Sequence, residues 1–180
     1  VMFLGPPRLV DDVWFGVVQQ DVEIKLWAIA DHTGAVLWSM TLGTLPPHRV
    51  SAPGRQRVAC PITFGNGLLY CPTGNGALMA IDPVIRQIVW VYRYSVVEHE
   101  PAFRARIGIA PQPIFDEWWN EWREISCLLS PSDDVLLLAS PESEDLHAIS
   151  PFTGKSIWNV PRQEGLTLGG VFHDDVIVVE

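Results

Sequence analysis

Basic residues are scarce in this 180-residue chain, which has 12 lysines and arginines against 21 aspartates and glutamates and a formal net charge of −9. Nucleic-acid binding needs clustered Lys and Arg to neutralise phosphates, so no nucleic-acid partner is expected. No apolar run approaches the roughly 18 residues that span a bilayer, and residues 1–6 lack the charged region of a signal peptide. With 48% hydrophobic residues, the chain is expected to bury a large core.

Cysteine is also sparse, with three residues at positions 60, 71 and 127 whose spacing is not that of a zinc site. Cys60 and Cys71 flank the turn signal Asn66-Gly67 and are predicted to point to the same face of a sheet. A disulfide and a pair of buried thiols both fit that geometry. Counted back from the turns, Cys127 matches Cys60 in the next unit, which favours a packing role.

One eleven-position pattern, with Ala first, Ile second and Trp last, occurs over residues 28–38, 80–90 and 148–158. A short apolar run, a turn-forming centre and a second run ending in Trp predict a strand, a turn and a strand. Thr33-Gly34 and Thr153-Gly154 suit that turn because glycine takes positive φ without steric cost. Ile85-Arg86 in the middle copy requires another turn type.

A second pair of predicted strands precedes each hairpin, so each repeat unit is expected to contain four strands. In the middle unit, Asn66-Gly67 joins strands over residues 58–64 and 68–72, and Asp133-Asp134 and Asp174-Asp175 take its place later. The chain is therefore divided into units at 1–45, 46–94 and 125–162, a half unit at 163–180, and an insertion at 95–124. Because the last unit stops in mid-strand, we expect one incomplete all-β segment.

The three copies resemble the tryptophan-docking repeat of the pyrroloquinoline-quinone (PQQ) type of β-propeller, Ala-x-Asp-x-x-Thr-Gly-Lys-x-x-Trp. The third copy departs from it only at Ser150, the first at Ala30 and Ala35, and the second keeps Asp82 but loses Thr, Gly and Lys. The resemblance implies a partial β-propeller of four-stranded antiparallel blades, with the remaining blades in the rest of the parent chain. It also implies that residues of the pattern dock neighbouring blades: Trp38, Trp90, Trp158, Gly34 and Gly154.

Residues 135–162 are similar to multi-blade PQQ-like proteins of planctomycete-type bacteria, which are mostly exported, so a periplasmic or extracellular location is implied. The enzymes of the wider fold are quinone-dependent dehydrogenases, which hold PQQ and calcium beside a Cys-Cys pair that this sequence lacks. Oxygen ligands are available at Asp82, Asp116, Glu117 and Asn120, but not in a calcium-loop pattern. No catalytic, cofactor or metal residue is assigned, and a fragment of a PQQ-dependent alcohol or sugar dehydrogenase is the alternative function.

The insertion at 95–124 is the most distinctive non-repetitive segment. It contains a candidate binding lip, since Trp and Arg are enriched at binding hot spots: Arg104, Arg106, Trp118, Trp119 and Trp122. The same tryptophans could instead cap a blade edge. His147, next to the third copy, is predicted to be an ordinary surface or rim residue. The preferred function is a non-enzymatic propeller outside the cytoplasm that engages a protein, peptide or glycan through loops on one face.

Overall fold

A computed structural model describes residues 1–45, 58–96, 123–161, 167–172 and 175–179. All regular secondary structure in these ranges is β, which confirms the predicted class. Over the same ranges, no helix is present that is long and apolar enough to cross a membrane.

Four antiparallel sheets follow one another along the chain. The first contains β1 (Met2–Phe3), β2 (Arg8–Val10), β3 (Val13–Gln20), β4 (Glu23–Ala30) and β5 (Val36–Thr44). The second contains β7 (Thr63–Gly65), β8 (Leu68–Pro72), β9 (Ala77–Asp82) and β10 (Gln87–Arg93). The third contains β12 (Ser126–Leu129), β13 (Leu136–Ala139), β14 (Asp145–Ile149) and β15 (Ser156–Pro161), and the fourth contains β16 (Thr167–Phe172) and β17 (Asp175–Val179).

Proline breaks the innermost strand of the first two sheets, because it cannot donate a backbone hydrogen bond to the ladder. In the first sheet, residues 4–7 separate β1 from β2, so five strands occupy four positions. In the second sheet, the prediction of one continuous strand over residues 58–64 is wrong, because the strand is interrupted at Pro61. Its first part, β6 (Val58–Ala59), instead pairs in parallel with β11 (Arg123–Glu124).

The three copies of the pattern form hairpins with the same β-bulge. The first Ala pairs with the final Trp in every copy, and one residue before the Trp has no partner: Leu37, Val89 and Ile157. A bulge adds a residue to one strand and redirects the next side chain. The small Ala opposite leaves room for the indole on that face of the sheet. This explains why Ala and Trp recur at opposite ends of the pattern.

The core runs through the seams between sheets. Leu136 and Leu138 of β13 join a cluster with residues of the first two sheets, whereas Leu137 and Ala139 pack with Leu168 of β16. Successive side chains of a strand point to opposite faces. Both faces of the third sheet are therefore covered, which explains the continuous apolar run over residues 135–139.

Candidate functional site

Trp90 joins the second sheet to the third. Its Nε1 donates a hydrogen bond to the carbonyl of Pro151 at 2.9 Å, and a Cβ added to Gly154 would lie 2.6 Å from two carbons of its ring. Gly154 has φ +67°, which also favours glycine. The indole thus lies against the bare backbone of the turn in the next sheet.

Trp38 contacts the second sheet in a different way. Arg86 occupies the glycine position of the middle copy with φ 56°, and its guanidinium lies 5.8 Å from the centroid of the Trp38 ring. The carboxylate of Asp82 accepts the N–H groups of Val84 and Ile85 at 2.8 and 3.1 Å, which replaces the Thr-Gly chemistry of this turn. A cation over the indole takes the place of close backbone packing.

Two docking positions of the outer copies, Trp158 and Gly34, lack a close contact with another blade among the described residues. Trp158 is 39% exposed, and a Cβ added to Gly34 would have nothing within 4 Å. That all three tryptophans dock successive blades stays a prediction.

A polar cleft of ≈ 220 Å³ lies at the seam between the second and third sheets. It lies at the edge of the sheets where β10 ends and β14 begins, opposite the edge that carries the turns of the repeated pattern. Nine residues line this seam cleft: Tyr92, Arg93, Tyr94, Ser95, Ser143, Glu144, Asp145, His147 and Asn159.

His147 organises the wall of the seam cleft. Its Nε2 lies 2.9 Å from Ser143 Oγ, and its Nδ1 lies 3.0 Å from the Tyr92 hydroxyl and 3.2 Å from Asn159 Oδ1. Ser143 Oγ accepts the N–H of Asp145, so its own hydrogen is available to Nε2, and Nδ1 can then donate across the seam. The two sheets are therefore joined by a chain of hydrogen bonds at the base of the cleft.

Tyr94 makes the second polar contact across this seam. Its hydroxyl donates to Ser140 Oγ at 3.2 Å, and its ring lies 5.6 Å from that of His147. Burial, and secondarily the charge of Glu142, raises the pKa of the Tyr94 hydroxyl. The group consequently stays protonated and serves as a hydrogen-bond donor rather than as an acid or base.

The three cysteines are buried and free, so the buried-thiol interpretation holds and the disulfide does not. Burial raises the pKa of all three thiols, that of Cys127 to about 12. The predicted match between Cys60 and Cys127 is wrong. Tyr70 and Leu137 pair with the first Ala of their patterns, and their own partners in the preceding strand are Thr63 and Leu128. Cys60 therefore corresponds to Ile125, because the turn after β12 is longer than the turn after β7.

The sequence predictions for other sites have mixed outcomes. His147 is only 3% exposed, so its prediction as a surface or rim residue is wrong; Tyr92 and Tyr94 of the second sheet cover it. Asp82 uses its carboxylate to hold a turn. The five residues of the candidate binding lip, and Asp116, Glu117 and Asn120, lie outside the described residues.

An exposed group at the opposite edge brings together possible metal-ligand atoms. Asp12, Asp31 and His32 each place one such atom within 4.8 Å of the others. Asp31 already accepts the Trp14 indole N–H. The group is exposed, and surface carboxylates commonly cluster at turns without an ion.

Sequence reasoning missed the seam cleft because its two walls come from different repeat units. Tyr92 and His147 are 55 residues apart, and neither belongs to the repeated pattern. Tyr92 follows a motif tryptophan by two positions and Asn159 follows one by a single position. No local signal distinguishes these positions from ordinary strand residues.

No protein-family model matches this sequence, and no curated protein sequence matches it. Among solved structures, the crystal structure of BamB from Moraxella catarrhalis is similar with a TM-score of 0.55 and 18% sequence identity. The match covers 88% of this chain and 38% of that chain. This likeness and the successive antiparallel sheets establish the fold as part of a β-propeller with four-stranded blades. The chain thus spans well under half the length of the BamB chain.

Proposed function

We propose that the chain is a non-enzymatic, ligand-binding part of a β-propeller that works outside the cytoplasm. It engages a protein, peptide or glycan through the edge that carries the seam cleft. The observation that carries the proposal is the cleft itself, a concave polar site at a seam between blades. The propeller fold shared with BamB supplies a rigid scaffold with loops at its edges, which suits a binding module.

The position of the insertion supports the same edge. Tyr94 and Ser95 line the seam cleft, and Ser95 is the first residue of the insertion. Loops on rigid scaffolds carry binding sites more often than the scaffold strands do. We therefore propose that five residues of the insertion form a partner-binding lip: Arg104, Arg106, Trp118, Trp119 and Trp122.

The blades themselves serve as the rigid support. In this proposal, each motif tryptophan locks its blade to the following one, as the contacts of Trp90 and Trp38 exemplify. Burying an aromatic ring with its N–H paired contributes both apolar area and a fixed orientation. Trp158, which is 39% exposed, is assigned the same role toward the blade that follows.

Site-specific photo-crosslinking tests the proposed edge. A diazirine amino acid, which inserts into protein and glycan bonds, replaces exposed Ser95 at the seam cleft or exposed Thr33 at the opposite edge. In host cells, we expect a defined crosslinked product in the periplasmic fraction with the Ser95 variant only. Equal products from both variants, or none from Ser95, would contradict the proposal.

A further inference from the structure

The size of the seam cleft limits its ligand to a small group. At ≈ 220 Å³ it has room for roughly seven water molecules. Sites for drug-sized molecules and cofactors usually measure about 300–1,000 Å³. One side chain of a larger partner suits this volume better than a complete cofactor does.

The charged side chains around the cleft favour a cation. Asp145 shares the strand face of His147, and Glu144 lies exposed beside it at the mouth. Arg93 follows Tyr92 in β10, so its side chain begins on the opposite face of that strand. Within the described ranges, neither carboxylate forms an ion pair. Arg93 nevertheless lines the cleft, but the two carboxylates outnumber its one guanidinium, so the formal charge of the lining residues is negative.

The uncharged wall complements such a ligand. Tyr92 supplies an aromatic ring, held in place by the hydrogen bond of its hydroxyl to His147, and the oxygen acceptors for a ligand are the carboxylates of Glu144 and Asp145. Aromatic faces and oxygen acceptors together suit an ammonium or guanidinium group. The net charge of −9 would also attract a basic partner from a distance.

We infer that the seam cleft is an anchor for one lysine or arginine side chain of a protein partner. The inference rests on the proposed binding function and names the chemistry of its ligand. Glu144 and Asp145 bind the cationic group at the mouth, and Tyr92 contacts the aliphatic part of the side chain. A single buried anchor of this kind commonly dominates the affinity of a larger interface.

Small probes test the anchor without knowledge of the partner. The 180-residue chain is titrated with Nα-acetyl-arginine amide, Nα-acetyl-lysine amide and Nα-acetyl-citrulline amide, the last having the shape of arginine without its charge. Binding is followed by NMR through the amide signals of Ser95 and Glu144. We expect both cations to bind and the citrulline probe to bind at least about fivefold more weakly, since a charge-assisted hydrogen bond is lost.

Matched variants separate local recognition from overall charge. Asp145→Asn and Glu144→Gln should each weaken binding of the arginine probe by about three- to tenfold. Asp21→Asn removes one negative charge at the same edge but in the first sheet, and it should leave binding unchanged. Asn tolerates the φ of 55° at position 21, so this control keeps the turn. Thermal unfolding of each variant verifies that it remains folded.

Several results would overturn the anchor. They are equal binding of the citrulline probe, an equal loss in Asp21→Asn, or unchanged binding in both cleft variants. Probe binding that appears only after Arg104→Ala and Arg106→Ala would show that the chain's own insertion fills the site. A defined crosslink at Ser95 without a preference for cations would contradict the anchor while leaving the binding function standing. Cation binding without any crosslink at Ser95 would contradict the binding function at this edge while leaving the cation preference of the cleft standing.

Discussion

Replacing Gly154 with alanine measures how strongly the second and third blades depend on their tryptophan contact. Gly154 and Gly34 occupy the same position of the repeated pattern, with φ values of +67° and +66°. An added Cβ would meet the Trp90 ring at 2.6 Å from Gly154, but would meet nothing within 4 Å from Gly34. Both substitutions therefore place alanine at a positive φ, but only Gly154→Ala brings a methyl group against the Trp90 ring.

The expected magnitudes follow from these distances. Alanine at positive φ costs about 1 kcal/mol, and this is the whole expected effect of Gly34→Ala. At Gly154 the indole must also move by almost 1 Å to reach ordinary contact distance, and overpacking of this kind costs about 1–3 kcal/mol. The shift stretches the Trp90–Pro151 hydrogen bond, which adds about 1 kcal/mol. Gly154→Ala should therefore destabilise the protein by about 3–5 kcal/mol in total.

Urea unfolding followed by circular dichroism gives both free energies, with tryptophan fluorescence reporting the environment of Trp90. A double-mutant cycle with Trp90→Ala provides the control. Once the ring is gone, Gly154→Ala should cost no more than Gly34→Ala does. Equal costs for the two glycine variants in the wild-type background would refute the docking argument for this seam.

Three further predictions concern the other described contacts. Arg86→Gly should change the free energy of unfolding by less than about 1 kcal/mol, because relief of the positive φ offsets the lost cation–π contact. Arg86→Ala keeps the positive φ and should cost about 1–2 kcal/mol. Chemical denaturation of both variants checks that the alanine variant is the less stable of the two. Burial raises the folded-state pKa of Cys60, Cys71, Cys127 and Tyr94, so their stabilisation is complete below the unfolded pKa and is lost as the pH rises. For the three thiols the loss between pH 7 and pH 10 should reach about 4 kcal/mol, measured by unfolding at each pH, and a flat profile would contradict it. The native thiols should also react with a disulfide reagent only as fast as the protein unfolds, because all three are buried and burial disfavours the reactive thiolate form. Rapid labelling of any one thiol at neutral pH would show that it is accessible.

Local sequence signals predicted the hairpins because the interactions that form them are local. Asn66-Gly67 has φ values of 53° and 73°, which a two-residue hairpin turn requires, and Gly34 and Gly154 also have positive φ. The middle turn could be identified as irregular, but not as one held by Asp82 and a left-handed Arg86. The Arg86 side chain of this turn contacts the Trp38 ring, which belongs to another unit.

Local sequence signals could not predict the contacts between units. Strand β6 leaves its own sheet to pair with β11, and Cys60 donates its N–H to Leu4 of the first unit at 2.7 Å. A hydropathy pattern specifies which face of a strand is buried, but not which neighbour buries it. His147 illustrates the consequence, since a polar residue beside a turn is normally exposed unless another sheet covers it.

The first two blade seams differ in a way that bears on where binding occurs. At the first seam, the guanidinium of Arg86 lies 5.8 Å from the centroid of the Trp38 ring, and such a cation–π contact tolerates small shifts of one sheet against the other. At the second, His147 and Tyr94 bury hydrogen-bonding groups whose partners are Tyr92 and Ser140 in specific positions. A shift at this seam would leave buried polar groups unpaired, at a cost of about 1–3 kcal/mol each. The first seam is also crossed by a polar contact, the backbone hydrogen bond from Cys60 to Leu4. At the second seam, however, side-chain hydrogen bonds hold the walls of the cleft itself, and a small cleft can discriminate between ligands only where its walls cannot slide.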